Sequence, residues 1–197
     1  MGPAGKKGEQ GPQGEPGPPG TPGENAQASA VIPFSTSNLI TLQANAEGAS
    51  SNIAIIGYGS STTLGIPVTE PIDLSAQPQI IAFQMPKDMQ LNEFIVTFTA
   101  PTVQSIPAGE IAVFAQLFIT TANNNNYFPI AQSKIQITPS LSGVVPIGFS
   151  FTGTINDLGI SAIQGAKIML VVYAESINSE ITTEISEIIN AGLILGN

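Results

Sequence analysis

The sequence predicts an all-β head carried on a three-stranded, collagen-like stalk. Glycine recurs at every third position from 2 to 23, and the stretch from Val31 to Asn197 is rich in β-branched and aromatic residues punctuated by polar turn clusters. A third observation narrows what the head can do. The chain has no histidine, cysteine or tryptophan, and its five basic residues are all lysines.

The stalk comes first. Gly2, Gly5, Gly8, Gly11, Gly14, Gly17, Gly20 and Gly23 open the triplets GPA, GKK, GEQ, GPQ, GEP, GPP, GTP and GEN without interruption. Only glycine fits at the crowded axis of three wound polyproline-II chains, and proline pre-sets that backbone. These eight glycines are therefore the expected stalk axis of a domain spanning 1–25. At about 3 Å per residue the rod would reach roughly 70 Å. Polyproline II has no hydrogen bonds within a chain, and a Lys7–Glu9 pair between chains adds at most about 1 kcal/mol. The head must hold the three chains together.

Residues 26–30 read as a short polar connector and 31–197 as the head. Strands are expected over 38–44, 53–58, 79–85, 91–99, 110–121, 127–138, 147–155 and 166–175, with Asn123 to Asn126 as a hairpin tip. In 147–155, Ile147, Phe149, Phe151 and Ile155 oppose Ser150, Thr152 and Thr154, which marks a half-buried outer strand. In 111–119 both faces are apolar, Ile111, Val113, Leu117 and Ile119 against Phe114 and Phe118, and 168–173 behaves likewise. Two-faced burial needs a second cover, either one large core or a neighbouring subunit. The trimeric stalk favours the subunit. Ile111, Val113, Phe114, Leu117, Phe118, Ile168, Leu170 and Val172 are thus the expected trimer-interface residues.

The stretch 177–195 fits two patterns. Ile181, Ile185, Ile188 and Ile189 make a helix face opposite Glu180, Glu184 and Glu187, while Ile177, Ile181, Ile185, Ile189, Leu193 and Leu195 make a strand face. Its β-branched content favours a strand.

Composition excludes several functions. Without cysteine there are no disulfides, thiolate metal sites or thiol nucleophiles, and without histidine the commonest base and metal ligand are missing. A net charge of −9 with no arginine argues against nucleic acid. No run of eighteen apolar residues suggests a membrane span, and no secretory signal is recognised at the N-terminus. Gly57-Tyr58-Gly59-Ser60-Ser61 lacks the Gly-Lys-Ser/Thr of a phosphate loop and reads as a tight turn. The remaining catalytic option is a serine–lysine pair using Lys87, Lys134 or Lys167. Glu70, Asp73, Asp88, Asp157 and the Glu180/Glu184/Glu187 series lack the spacing of a calcium loop and read as solvated surface, with a weak calcium site near a three-fold axis as the alternative. No enzyme activity, cofactor or metal is expected.

Six segments carry a resemblance: Ile32-Pro33-Phe34-Ser35, Gly57 to Ser61, Phe83-Gln84-Met85-Pro86-Lys87-Asp88, Ala115-Gln116-Leu117-Phe118, Ile137-Thr138-Pro139 through Gly143, and Ile168 to Tyr173. Together with the Gly-X-Y stalk, the chain resembles the collagen-like glycoproteins of the bacterial spore exosporium, the BclA/BclB type, and its head is most similar to the BclB-type C-terminal domain. The resemblance implies a jelly-roll sandwich similar to tumour necrosis factor and complement heads, trimerised on the stalk and facing outward in the hair-like nap of the spore. It implies as partners two further copies of the chain and, through an N-terminal leader that this sequence does not include, a basal-layer or appendage protein. Threonine-bearing triplets, the family's glycan sites, reduce here to Gly20-Thr21-Pro22. A structural filament protein is the leading expectation. An adhesin or receptor-binding knob, on a host surface or as a phage-type fibre tip, is the alternative, with Tyr58, Tyr127 and Phe128 as its candidate aromatic contacts.

Overall fold

A computed structural model describes residues 1–18, 29–77, 81–121 and 123–196. Residues 1–18 are exposed and form neither strand nor helix. The head is all β. In chain order its strands are β1 (Ala30–Ser35), β2 (Ile40–Ala44), β3 (Ile53–Ile56), β4 (Ser61–Leu64), β5 (Ile72–Asp73), β6 (Phe83–Gln84), β7 (Met89–Thr99) and β8 (Gln104–Thr120). They continue as β9 (Asn126–Pro129), β10 (Ile135–Gln136), β11 (Leu141–Val145), β12 (Ser150–Ile155), β13 (Ile160–Ala162), β14 (Lys167–Ile177) and β15 (Thr183–Gly196). A single 3-10 turn at Ala131–Ser133 is the only helical element among the described residues.

Two antiparallel sheets form a sandwich. The first runs β1-β15-β7-β12, with β13 also on β7 and β2 on the start of β15. The second runs β4-β3-β14-β8, and the far edge of β8 is taken in turn by β9, β10 and β11. Counting only β1, β3, β7, β8, β11, β12, β14 and β15, the first sheet orders its strands first, eighth, third, sixth. The second orders them second, seventh, fourth, fifth.

Period-two alternation turns one row of each strand inward. Phe94, Val96 and Phe98 of β7 and Ile189 and Leu193 of β15 meet Ile111, Val113, Leu117, Ile168, Leu170 and Val172 of the second sheet in the main core. The second sheet is also buried on its outer side. There Ile53, Ile55, Ala112, Phe114, Phe118, Met169, Val171 and Tyr173 form a second cluster. It is covered by Ile72, Leu74 and Tyr127, with Leu64, Ile66, Val68, Ile81 and Ala82 packed against it. In the excursion between β4 and β6, residues 64–74, 81 and 82 thus fold back over their own sheet.

Most expected strands are present, and the departures have local causes. The long β8 begins at Gln104, not 110, because Pro107-Ala108-Gly109 is a bulge within a strand and not a turn before one. Gly109 has φ +66°, and the pairing to β11 shifts register across this stretch. The expected strand 127–138 is broken after Pro129 by the 3-10 turn, and 79–85 keeps only Phe83–Gln84, its residues 79 and 80 lying outside the described set. Ile147 lies in the turn before β12 and is exposed, whereas Phe151 points inward from this edge strand as its alternation requires. The stretch 183–196 is a strand, and Ala30, assigned to the connector, already belongs to β1. The rest of that connector, apart from Ser29, lies outside the described residues.

Candidate functional site

In the N-terminal glycine repeat, a Cβ added to Gly2, Gly5, Gly8, Gly11, Gly14 or Gly17 would meet nothing within 4 Å, and none of these residues has the positive φ that favours glycine. Within one chain, nothing requires glycine at these six positions. Gly20 and Gly23 lie outside the described residues.

The eight residues expected at a trimer interface are all buried by the chain itself, none more than 8% exposed. Ile111, Val113, Leu117, Ile168, Leu170 and Val172 face the main core, and Phe114 and Phe118 face the second cluster. Their two-faced burial is real, but the outer cover is supplied by the chain's own residues 64–74, 81 and 82 with Tyr127. All eight side chains are therefore enclosed within the single chain, and it is the opposite sheet that leaves apolar side chains exposed.

The outer face of the first sheet is bare by contrast. Register aligns Pro33, Gly192, Ile95 and Thr154 in one row and Ser35, Asn190, Thr97 and Thr152 in the next. Val31 sits opposite Ile194 at one end, and Ile188 opposite Thr99 at the other. Val31 is 62% exposed, Ile95 44% and Ile188 37%. A Cβ on Gly192 would stand 3.6 Å from Ile95 Cγ2 and 3.9 Å from Val31 Cγ1, so these two side chains flank the glycine as one apolar patch. Hydroxyl pairs flank it, Thr97 with Thr152 at 2.9 Å and Thr99 with Ser150 at 3.3 Å. Across these rows the only charged residue is Glu93, opposite Ile194.

The patch continues around β1. The Ser35 N–H donates to the Gly57 carbonyl at 2.7 Å, so alternate amides of β1 point away from β15. Pro33 falls on that side and has no N–H to offer, which blunts the edge against indiscriminate strand pairing. Beyond it an apolar cavity of about 450 Å³ is lined by Val31, Pro33, Phe34, Tyr58, Ile81 and Phe83, among others. Tyr58 stands on the β3–β4 turn, which is the tight turn expected of Gly57 to Ser61. Gly57 N–H donates to the Ser60 carbonyl at 2.8 Å, and Gly59 has φ +61°. Of the three aromatic contacts expected of an adhesin, Tyr58 and Phe128 are exposed but Tyr127 is fully buried. Phe128 lines a different surface pocket, with Ile119 and Ile163.

Two of the potential catalytic groups, Lys134 and Ser133, are engaged structurally. Lys134 Nζ lies 4.4 Å from the centroid of Phe114 and 5.5 Å from that of Tyr173, and the two rings stack at 5.3 Å. Burial works against its charge, but the Tyr173 hydroxyl and the carboxylates of Glu175 and Glu70 outweigh it and hold its pKa above the ordinary lysine value. Such a lysine is no general base. Buried Ser133 donates to the Ile130 carbonyl at 2.7 Å and accepts the Leu117 N–H at 2.9 Å, which fixes the 3-10 turn on β8. Among the described residues no group of three or more Asp or Glu could hold a metal ion. Glu184 is exposed and accepts from Gln43 at 2.6 Å, but Glu187 is buried, contrary to its expected place on a solvated face. The signal for it was present: 187 belongs to the same odd-numbered row as Ile185 and Ile189.

No family model matches the chain, and no curated protein matches it. Among solved structures it is similar to that of infectious bursal disease virus, Gx strain, at 8% identity over 87% of this chain and 32% of that one, with a TM-score of 0.44. It is also similar to a CocE/NonD family hydrolase from Staphylococcus aureus, at 9% identity over 86% of this chain and 37% of that one, with a TM-score of 0.43. The chain spans about a third of the length of either. Likenesses this distant carry no activity or assembly over to it.

Proposed function

We propose that this chain is a non-catalytic, stalked head that assembles as a homotrimer and belongs to a surface filament of the collagen-like exosporium type. The observation that carries the reading is the unbroken glycine period, six of whose members have no need of glycine within one chain. A triple helix supplies that need, because each glycine then faces the axis between two other chains. The first-eighth-third-sixth and second-seventh-fourth-fifth strand orders support a jelly roll of two Greek keys, similar to tumour necrosis factor and complement heads. The bare face around Ile95 and Gly192 is the assembly surface. It contains β1, the strand that follows the stalk most closely, so three chains gathered by the stalk bring these faces together. Absence of histidine and cysteine and the structural engagement of Lys134 and Ser133 support a role without catalysis. The spore-surface location rests on the sequence resemblance.

Sedimentation equilibrium of the full chain tests the assembly. The expected mass is three times 20.3 kDa, and a chain that stays at 20.3 kDa across the micromolar range contradicts it.

A second reading, an adhesive knob, is favoured by one observation, the cavity bordered by exposed Tyr58 and Phe83. A glycan and matrix-protein array probed with the full chain and with Tyr58→Ala separates the two. Binding that the substitution abolishes supports the knob, and no binding leaves the filament role alone.

A further inference from the structure

The inner row of β15 is apolar over most of its length. Ile185, Ile189, Leu193 and Leu195 point into the core, and Glu187 lies in the same row, 1% exposed. Neither of its carboxylate oxygens has a hydrogen-bond partner among the described residues. The position is a junction. Glu187 is the last residue of β15 paired to β2, opposite Ile40, and Ile188 is the first paired to β7, opposite Thr99. One residue earlier, Gln104 at the start of β8 clamps Ser186. The Ser186 N–H donates to Gln104 Oε1 at 2.5 Å, and Gln104 Nε2 donates to the Ser186 carbonyl at 2.6 Å. Strands from both sheets therefore meet around this one buried acid.

Among the described residues nothing charged compensates it. β15 packs on β1, β2, β7 and β8. β1 and β2 carry no titratable residue. On β7 only Glu93 is titratable, exposed at the other end opposite Ile194, and on β8 only Glu110, six residues beyond Gln104. On β15 itself Glu184 faces solvent and bonds Gln43. These neighbours are all acids, and burial by itself moves the Glu187 carboxyl from 4.5 up to about 7.

We propose that Glu187 is a pH-sensitive device built into the head, which closes tightly on the neutral acid and loosens at the junction of β15, β2 and β8 when that acid ionises. An unpaired carboxylate in an apolar core is unfavourable, whereas the protonated group is tolerated. The acid is weaker folded than unfolded, so its stabilising effect is complete below about pH 4.5 and is lost as pH rises to about 7. Across that window the folding constant falls up to about tenfold per pH unit, roughly a hundredfold in all. A head of this kind tightens on acidification.

The test compares the full chain with Glu187→Gln in guanidinium unfolding from pH 5 to pH 8 at fixed ionic strength. The variant should match the wild type near pH 5 and exceed it increasingly toward pH 8, by a folding constant about a hundredfold larger. Parallel pH profiles overturn the proposal. If the variant fails to fold, carbon-13 titration of the Glu187 carboxyl in the wild type decides. A midpoint near 7 supports the device, and one below 5 overturns it.

Discussion

The two outer faces of the sandwich solve the same problem differently. On the second sheet, Phe114, Phe118, Met169 and Val171 are apolar and lie under the chain's own residues 64–74, 81 and 82. On the first sheet, Val31, Ile95 and Ile188 stand exposed among threonines, with no segment of the described residues folded over them. A face that the chain covers itself is closed to partners, however apolar its sequence. The face left open is mixed in polarity and nearly free of charge, which suits the proposed contact between copies better than a core.

Breaking either face separates these roles. The largest effect is expected for Phe118→Ala, which opens a cavity beneath the excursion. It should cost about 3–5 kcal/mol of head stability, measured by denaturant midpoint, while surviving folded protein keeps its assembly state. Ile95→Glu should do the reverse. The assembly should fall to single chains by sedimentation, because three carboxylates would meet in a desolvated contact, while the stability of the isolated head shifts by no more than about 0.5 kcal/mol. Gly8→Ala should weaken the polyproline-II circular dichroism signal of the stalk and leave the head's melting unchanged, since a Cβ there meets nothing in one chain. The smallest effect is expected at the rim of the covered face. Lys134→Ala removes a cation over Phe114 and Tyr173 and should cost about 0.5–1 kcal/mol of head stability.

The all-β class and the central strands were legible because β7, β8 and β14 are long and carry strong periodic or two-faced apolar runs. The cover over the second sheet was not. Ile66, Val68, Ile72 and Leu74 lie in an excursion whose only pairing among the described residues is the two-residue β5, so no period marks them as core, and the sequence reading gives the apolar outer face of β8 and β14 to a subunit instead. The open face was hidden for the opposite reason. Thr97, Thr99, Thr152 and Thr154 read as ordinary solvent-facing positions, and only cross-strand register assembles them with Ile95 and Gly192 into one surface. Glu187 was misplaced because a helical reading puts it with Glu180 and Glu184, whereas strand alternation puts it with Ile185 and Ile189.

Because the chain has no cysteine, a single thiol can report on each face in turn. The most direct measurement is the alkylation rate of Ile95→Cys in the native full chain, set against that of Thr63→Cys at the exposed position of β4 in the second sheet. Protection at 95 that disappears on dissociation, with 63 reactive throughout, is the expected result. Equal, rapid reaction at both positions in the native protein would contradict an assembly built on the first sheet.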